Sequence, residues 1–345
     1  MALAFVVVLL VVAALSTAAV VALNAFADPY GSLGTHILPT LTTSDRTVKA
    51  DAIEDLEKGP ELVVLGSSRS MRYEPEFLEE KTGLRTFNAG VNGIGGTVDV
   101  WAMTQFIHEV WPDADPAYLW LLDVEAFVPV TVGARTANEP RLAKYAGIAS
   151  AGNDPVELAQ AIVENRTTMF SLATAKDSVR LILYRDKAAQ TTSKFRKTIR
   201  ADGALVERRW SEKEWKRRWP DSVERYSNLH RTVYSEGPDA EAQEYFEKTL
   251  RFMNEQGATP LIVLTPINPK LRKVVGPLGW GRRYEEVVSY LESLQDEYDF
   301  VLLDLTDQTD FDADPIEWYD GVHMTTVNSR RAIDYILEKT GGIPQ

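Results

Sequence analysis

The stretch "ELVVLGSSRS", Glu61 to Ser70, gives the clearest indication of the fold. Four apolar residues run into Gly66, and three serines and an arginine follow. An apolar run of this length suits a strand that is buried on both faces, as in parallel sheets. Two interpretations of the serines stay open here. They form a turn, since Gly and Ser are common turn residues, or one of them is a nucleophile displayed where a strand gives way to a helix.

Four more short runs extend this pattern along the chain. With the first run, the predicted strands are Leu62–Leu65, Leu84–Phe87, Tyr118–Leu122, Leu261–Leu264 and Phe300–Leu305. Amphipathic helices are predicted at Thr97–Val110, Asp239–Gln256, Arg283–Tyr298 and Val327–Lys339. Thr97 and Asp239 are the expected N-caps of the first two. Strands that alternate with helices predict an α/β fold with a parallel sheet.

The N-terminal segment "ALAFVVVLLVVAALSTAAVVAL", Ala2 to Leu23, carries no charge. It is longer than the roughly 20 residues that a helix needs to cross a bilayer. A signal peptide is the alternative, because Ala25-Phe26-Ala27 has the form of a cleavage site; a buried core helix is the second. We expect a membrane anchor over residues 1–27, since the run is long for a signal peptide and no Lys or Arg precedes it. Residues 28–59 then form a linker and approach segment.

Composition excludes several classes of function. The 345-residue chain has a net charge of −13, with 50 acidic against 37 basic residues, which argues against general nucleic-acid binding. It contains no cysteine, which rules out disulfides, thiol catalysis and thiolate metal sites.

About 140 residues separate the third predicted strand from the fourth, far more than one crossover connection needs. We predict that residues 130–237 form a helical insertion or cap on an α/β domain over 60–345. Part of it is basic, with 16 Lys and Arg against 8 Asp and Glu between Lys176 and Arg231. A solvated face is the favoured interpretation, and a docking surface for an anionic polymer or a membrane is the alternative. Its tryptophans are core residues by default, or else a sugar-stacking platform or interfacial anchors: Trp210, Trp215 and Trp219.

A second polar cluster lies in "EWYDGVHMTTVNSRRAIDYI", Glu317 to Ile336. Asp320 and His323 stand just before a helix that is predicted to begin near Thr325 or Thr326, and they follow the last predicted strand. Ser68 also follows a predicted strand. Since ligands of open parallel sheets bind beyond the carboxyl ends of the strands, we expect these side chains to share one rim.

These residues resemble the sequence blocks of the SGNH (GDSL-like) hydrolase superfamily, and within it a membrane-anchored branch that acts on cell-envelope polymers. Gly66-Ser67-Ser68 corresponds to the first block, "NAGVNG" (Asn88 to Gly93) to the second, and "DGVH" (Asp320 to His323) to the last. The "DPYG" that follows the apolar segment is also similar to that branch. The resemblance implies a flavodoxin-like three-layer fold with a roughly five-stranded parallel sheet.

The resemblance also implies roles for individual residues. Ser68 would be the nucleophile, and a serine hydroxyl needs an adjacent base such as His323 to take its proton. Asp320 would hold the imidazole in the correct tautomer. The backbone N–H groups of Ser68 and Gly93 would stabilise the oxyanion. No metal and no cofactor is implied.

The sequence departs from the family at two places. Ser67 replaces the aspartate of the first block, and the third strand ends in "LWLLDVEAF" without the usual asparagine. Since an ionised carboxylate donates no hydrogen bond, the oxyanion hole uses two donors, borrows Asn92, or is impaired. Asp123 would alternatively orient the Gly93 loop. Arg69 would bind an anionic substrate group or pair with an acid.

The function that follows from the resemblance is extracytoplasmic serine acyl transfer. The substrate would be an acylated polysaccharide or another cell-envelope polymer, with O-acyltransferase and esterase activity both open and a multispanning acyl-exporting membrane protein as a possible partner. The first alternative is a non-catalytic envelope protein that binds glycan or scaffolds a partner. The second is a secreted lipase or esterase, cleaved after Ala27.

Overall fold

The computed structural model describes residues 2–31, 33, 35, 37–38, 44–93, 96–129, 136, 139–146, 155–164, 166–188, 198–206 and 211–344. Parts of the predicted insertion, including Val130 and Trp210, lie outside these ranges. The chain divides into two compact units. We call Met1–Val48 with Arg135–Lys197 the anchor unit, and Lys49–Ala134 with Thr198–Gln345 the sheet unit. The predicted insertion is thus shared between the units: residues 135–197 belong to the anchor unit, and residues 130–134 and 198–237 to the sheet unit.

The helices, in chain order, are α1 (Ala2–Ala27), α2 (Asp45–Glu54), α3 (Pro75–Thr82), α4 (Thr97–Val110), α5 (Pro140–Ala143), α6 (Pro155–Glu164), α7 (Arg166–Met169), α8 (Leu172–Ala188), α9 (Glu212–Thr232), α10 (Ala240–Glu255), α11 (Pro269–Val275), α12 (Trp280–Leu294) and α13 (Thr326–Thr340). Short 3₁₀ turns occupy Ser70–Arg72, Lys144–Ala146 and Gly276–Leu278. The strands are β1 (Leu62–Gly66), β2 (Thr86–Asn88), β3 (Ala117–Leu122), β4 (Leu261–Leu264) and β5 (Val301–Asp304).

The five strands form one parallel sheet in the order β2-β1-β3-β4-β5. The predicted α/β class and the five-stranded parallel sheet are confirmed. Every residue of β1, β3 and β4 is buried, which explains why these strands appear in the sequence as unbroken apolar runs. The edge strand β2 is shorter than predicted and excludes Arg85, whose backbone N–H donates to the Glu61 carboxylate instead.

Successive strand residues point to opposite faces of the sheet, so alternate residues of a strand contact different helices. Leu62, Val64 and the residues aligned with them share one core cluster with Leu78 of α3 and Ile333 of α13. The intervening Trp120 instead contacts Phe246 of α10, with ring centroids 4.6 Å apart. Because β1, β3 and β4 are neighbours and parallel, their carboxyl ends come together at one rim of the sheet.

Of the two predicted N-caps, one is right and one is wrong. The Asp239 side chain accepts a hydrogen bond from the backbone N–H of Ala242, so it caps α10 as expected. Thr97 is not the N-cap of α4: it is the first helical residue, and the preceding Gly96 makes no side-chain cap. Among the described residues between β3 and β4 there is no strand; helices predominate.

In the anchor unit, α1 is long and apolar enough to cross a membrane. Its residues from Ala4 to Ala19 are exposed, while the last turns pack against α7 and α8. Ala25-Phe26-Ala27, the alternative cleavage site, lies within this helix, and Ala27 is fully buried against Leu181.

Candidate active site

The turn after β1 displays one of its serines and buries the other two. Gly66 has φ of +134°, and a Cβ there would lie 2.4 Å from the backbone O of Leu121 on β3, so only glycine fits. The Ser67 hydroxyl accepts from the Arg69 N–H, and the Ser70 hydroxyl donates to the Ser67 carbonyl at 2.7 Å. Ser68 alone is partly exposed. Ser67 therefore has a structural role in this turn.

Ser68 and His323 are brought together across 255 positions of sequence: the Ser68 Oγ lies 2.7 Å from the His323 Nε2. The other ring nitrogen, Nδ1, lies 2.8 Å from the Asp320 Oδ2. In the tautomer with its proton on Nδ1, facing the carboxylate, the imidazole can accept a hydrogen bond from the Ser68 hydroxyl at Nε2. The predicted proximity of these three residues is confirmed, and their catalytic roles remain a prediction.

Local hydrogen bonds hold the Asp320 carboxylate in place. Its Oδ1 accepts from the backbone N–H groups of Val322 at 2.8 Å and His323 at 2.9 Å, which leaves Oδ2 directed at the imidazole. Burial alone would raise the pKa of Asp320, but the His323 ring and these N–H groups lower it well below its usual range. The carboxylate is therefore ionised at neutral pH and suited to stabilise a charged imidazole.

The loop that carries Asp320 and His323 is fixed by its own backbone and by two helices. An antiparallel bridge joins Trp318 to Met324 on either side of it. Gly321 donates its N–H to the Ser222 Oγ of α9 and accepts from the N–H of Asn268, which precedes α11. A Cβ on Gly321 would lie 2.3 Å from the Leu271 side chain. The glycine of "DGVH" is therefore required by packing, a need that the sequence motif alone did not explain.

The second sequence block packs directly on the Ser68 turn. The N–H groups of Ala89 and Val91 donate to the Val64 and Gly66 carbonyls, so the chain after β2 continues alongside β1. Gly90 approaches so closely that a Cβ there would lie 1.8 Å from the Ser70 Oγ. This contact places the Asn88–Gly93 loop at the rim beside Ser68.

Asn88, the first residue of that block, connects the loop to the turn. Its side-chain amide donates to the carbonyls of Ser70 and Tyr73, both at 2.9 Å. The fully buried Lys49 of α2 in turn donates its Nζ to the Asn88 carbonyl at 2.7 Å and to Asn88 Oδ1 at 3.1 Å. Lys49 falls in the predicted linker, and no sequence signal distinguished it from a surface lysine.

The structure describes the residues expected to donate hydrogen bonds to the oxyanion, but not all of the loop beside them. The Ser68 N–H donates no hydrogen bond to any residue that the structure describes. By contrast, the Arg69 N–H donates to the Ser67 hydroxyl, and the Ser70 N–H donates to the Ser67 carbonyl. Asn92 and Gly93 are half-buried, and the two residues that follow them lie outside the described ranges. The predicted roles of Gly93 and Asn92 therefore stay predictions.

Arg69 points into the protein rather than towards the rim. Its NH2 lies 2.8 Å from the Glu125 Oε2, its Nε lies 3.5 Å from the Asp123 Oδ1, and its NH1 donates to the Thr265 Oγ1. Burial alone would lower the pKa of Arg69, but Asp123 and Glu125 raise it above its ordinary value. Of the two roles left open for Arg69, pairing with acids is the one observed.

The two acids at the end of β3 serve as counter-ions of this arginine. Asp123 also accepts from the Thr265 hydroxyl at 2.7 Å. Burial alone would raise the pKa of Glu125, whereas Arg69 and then His230 lower it to about 2. The two acids at the end of β3 thus form, with Arg69, an ion-pair cluster next to the Ser68 turn.

Glu125 joins three elements at this cluster. Its Oε1 accepts from the Trp280 indole N–H at 3.1 Å, and the Nε2 of His230 on α9 lies 3.5 Å away. Both partners are buried. The cluster therefore ties β3 to α9 and α12, and through the adjacent Arg69 to Ser68.

The tryptophans of α9 are packing residues rather than an open stacking platform. Trp215 and Trp219 are half-buried and stack on each other, with ring centroids 5.0 Å apart. The Lys270 ammonium lies over the Trp215 ring at 5.2 Å, and Trp219 packs on the core cluster that contains Val322. Their ring faces are largely occupied, which favours the default interpretation of these two residues.

Other features of the described residues point away from further sites. They contain no group of three His, Asp or Glu side chains placed to hold a metal ion. A cavity of about 500 Å³ is lined by residues that include Gly59, Glu61, Arg85, Trp111 and Asp115. These residues precede β1, β2 and β3, so the cavity lies at the opposite edge of the sheet from Ser68.

Comparison of the chain with protein-family models gives no match, and comparison with curated proteins gives none either. The chemistry of the site therefore has to be argued from its geometry.

Proposed function

We propose that the protein is an SGNH-like serine acyl-transfer enzyme, anchored in a membrane, that acts on an acylated cell-envelope polysaccharide or a related polymer outside the cytoplasm. The observation that carries the proposal is the hydrogen-bonded series Ser68, His323 and Asp320 at the carboxyl rim of a parallel sheet. A serine, a base and a group that orients the base are the parts that nucleophilic acyl transfer requires.

The reaction proceeds in two steps. The Ser68 Oγ attacks the ester carbonyl carbon while its proton moves to the His323 Nε2. The negative charge on the carbonyl oxygen is stabilised by the Ser68 N–H and, from the resemblance, by the Gly93 N–H. The bond to the leaving alkoxide then breaks, the alkoxide takes the proton from His323, and the acyl group remains on Ser68.

The acceptor decides whether the enzyme is an esterase or a transferase. Water or a sugar hydroxyl gives its proton to the His323 Nε2 while its oxygen attacks the acyl carbon. The bond between that carbon and the Ser68 Oγ then breaks, and Ser68 recovers the proton from His323. Transfer requires a second glycan or an acyl donor at the rim, which a multispanning acyl-exporting membrane protein would supply.

Two observations support the finer points of the proposal. The strand order β2-β1-β3-β4-β5 is that of flavodoxin-like sheets, which place ligands at the same rim. Three hydrogen bonds, two of them buried, join Asn24, near the end of α1, to α7, to α8 and to Ser171 between them, which supports an anchor that is retained rather than cleaved after Ala27.

One observation favours a second candidate, a non-catalytic protein that binds glycan or scaffolds a partner. Asp123 and Glu125 are committed to Arg69, so the end of β3 contributes no evident donor to an oxyanion. A site with only backbone donors would be a weaker catalyst, since one oxyanion donor is worth roughly 10²–10³ in rate.

Ester turnover by the full chain in detergent tests the proposal. With p-nitrophenyl acetate and with an acetylated polysaccharide, Ser68→Ala is expected to lower the rate at least about a thousandfold. Ser67→Ala and Ser70→Ala are the matched controls from the same turn and should retain measurable activity. Free acetate indicates hydrolysis, and an acetylated acceptor glycan detected by mass indicates transfer. Turnover that survives Ser68→Ala would contradict the proposal.

A further inference from the structure

In the anchor unit, α8 has an unusual distribution of polar and apolar residues. Its buried residues include Thr174, Ser178 and Leu181, of which two are polar. Its exposed residues include large apolar ones: Leu172, which is 75% exposed, Leu183, which is 67% exposed, and also Val179 and Ile182. A helix of a water-soluble protein shows the opposite arrangement, with its apolar face on the core.

The exposed apolar residues of α8 fall on one side of the helix. At about 100° per residue, Val179, Leu172 and Leu183 lie within about 40° of arc, and Ile182 extends the stripe to about 100°. Phe170, just before α8, is exposed as well. A contiguous exposed apolar stripe marks a surface that something other than water covers.

The position of α8 on the anchor helix α1 indicates what covers its apolar stripe. Asn24 donates its side-chain amide to the Met169 and Ser171 carbonyls and accepts from the Ser178 hydroxyl. Ala27 packs on Leu181. These contacts place α8 across the C-terminal end of α1, next to the long apolar surface of α1 that stays exposed.

The length of α1 sets the depth of this contact. The apolar segment Ala4–Ala27 has 24 residues, so at 1.5 Å per residue it is about 36 Å long, against about 30 Å for the hydrocarbon core of a bilayer. About four residues therefore extend beyond the hydrocarbon, which fits the polar Asn24 near one end. The α8 helix that Asn24 contacts then lies at the membrane–water interface.

Charge on α8 agrees with that position. Lys176 and Arg180 are exposed and lie about 40° and 80° from Leu172 around the helix, along one edge of the apolar stripe. Cationic residues beside an apolar stripe are typical of helices that lie in an interface containing anionic lipids.

We propose that α8 lies in the plane of the membrane interface, with Leu172, Val179, Ile182 and Leu183 among the acyl chains and Lys176 and Arg180 at anionic headgroups. The protein would then be held by a spanning helix and by a second, in-plane helix. The proposal requires α1 to span the membrane and is independent of the chemistry at Ser68.

Site-directed fluorescence tests the proposal on the full chain, which contains no cysteine and so accepts single labels. Val179→Cys and Leu183→Cys carry a bimane probe in vesicles of phosphatidylcholine and phosphatidylglycerol. Ala173→Cys, exposed on the same helix about 100° from Leu172, is the matched control. Leu15→Cys reports whether α1 is in the bilayer.

We expect a lipid-borne nitroxide to quench the probes at 179 and 183 several-fold more than the probe at 173, and aqueous iodide to show the reverse. Equal access of iodide to all three positions overturns the proposal. Protection of 179 and 183 from both quenchers also overturns it, in favour of a protein that covers the stripe. If the lipid-borne nitroxide does not quench the probe at Leu15→Cys, α1 does not lie in the bilayer and the proposal is overturned. The ester assay then tests turnover at Ser68 separately.

Discussion

Replacement of Arg69 by methionine is expected to destabilise the sheet unit by about 3–5 kcal/mol, the usual effect of removing one partner of a buried ion pair. Methionine keeps much of the apolar stem of arginine and removes the charge. Glu125 then remains buried, and Asp123 half-buried, without the guanidinium that lies 2.8 and 3.5 Å from them. Because other donors still reach both carboxylates, we expect a value near the lower end of this range.

Urea unfolding followed by tryptophan fluorescence measures this loss. All eight tryptophans fall within the two segments of the sheet unit, so the signal reports that unit alone. Arg85→Met is the matched control: Arg85 pairs with Glu61 at 3.0 Å, but their side chains are 47% and 41% exposed. Such surface pairs contribute about 0–1 kcal/mol.

The double variant Arg69→Met/Glu125→Gln separates loss of the ion pair from loss of packing. It removes the charge on Glu125 while leaving an oxygen to accept from Trp280, so it should be more stable than Arg69→Met alone. A loss for Arg69→Met no greater than that for Arg85→Met would refute the buried ion-pair cluster.

Three further outcomes are expected. Asp320→Asn should lower turnover by about 10⁴ while the protein stays folded, because the imidazole loses the group that fixes its tautomer; steady-state kinetics and circular dichroism check both points. Gly90→Ala should destabilise the fold and slow turnover, because its Cβ would meet the Ser70 hydroxyl at 1.8 Å, whereas Gly281→Ala, inside α12 with open space around its Cβ, should do neither. Glu125 has a pKa of about 2 in the fold against an ordinary 4.5, so the stability it adds is present above about pH 4.5 and is lost as the pH falls towards 2; Glu125→Gln should flatten the acid limb of stability against pH, and an unchanged limb would contradict this assignment.

The parts of the fold that were predictable from the sequence are those that depend on local pattern. β1, β3 and β4 are buried on both faces, so their apolar runs mark them within a residue or two. The strand β2 was placed less accurately, because two of its three buried residues, Thr86 and Asn88, are polar and no apolar run marks it. The predicted N-cap of α4 was wrong because glycine and threonine are both common N-cap residues, so the pair Gly96-Thr97 lets the helix begin after either one.

The parts of the site that escaped sequence analysis depend on contacts between distant positions. Lys49 resembles any helical surface lysine until β2 places Asn88 against it. Gly90 and Gly321 are glycines only because Ser70 and Leu271 approach them. Glu125 had no sequence signal of its own, and its partnership with Arg69 followed only from the register of β1 and β3.

Covalent labelling of Ser68 by a fluorophosphonate tests the central claim most directly, because only an activated serine reacts at an appreciable rate. Intact-mass and peptide analysis of the full chain in detergent should find a single adduct on Ser68. The adduct should form in Ser67→Ala and Ser70→Ala, form far more slowly in His323→Ala, and be absent in Ser68→Ala. An adduct that persists in Ser68→Ala, or a wild-type chain that takes no label at all, would contradict the assignment of Ser68 as an activated nucleophile.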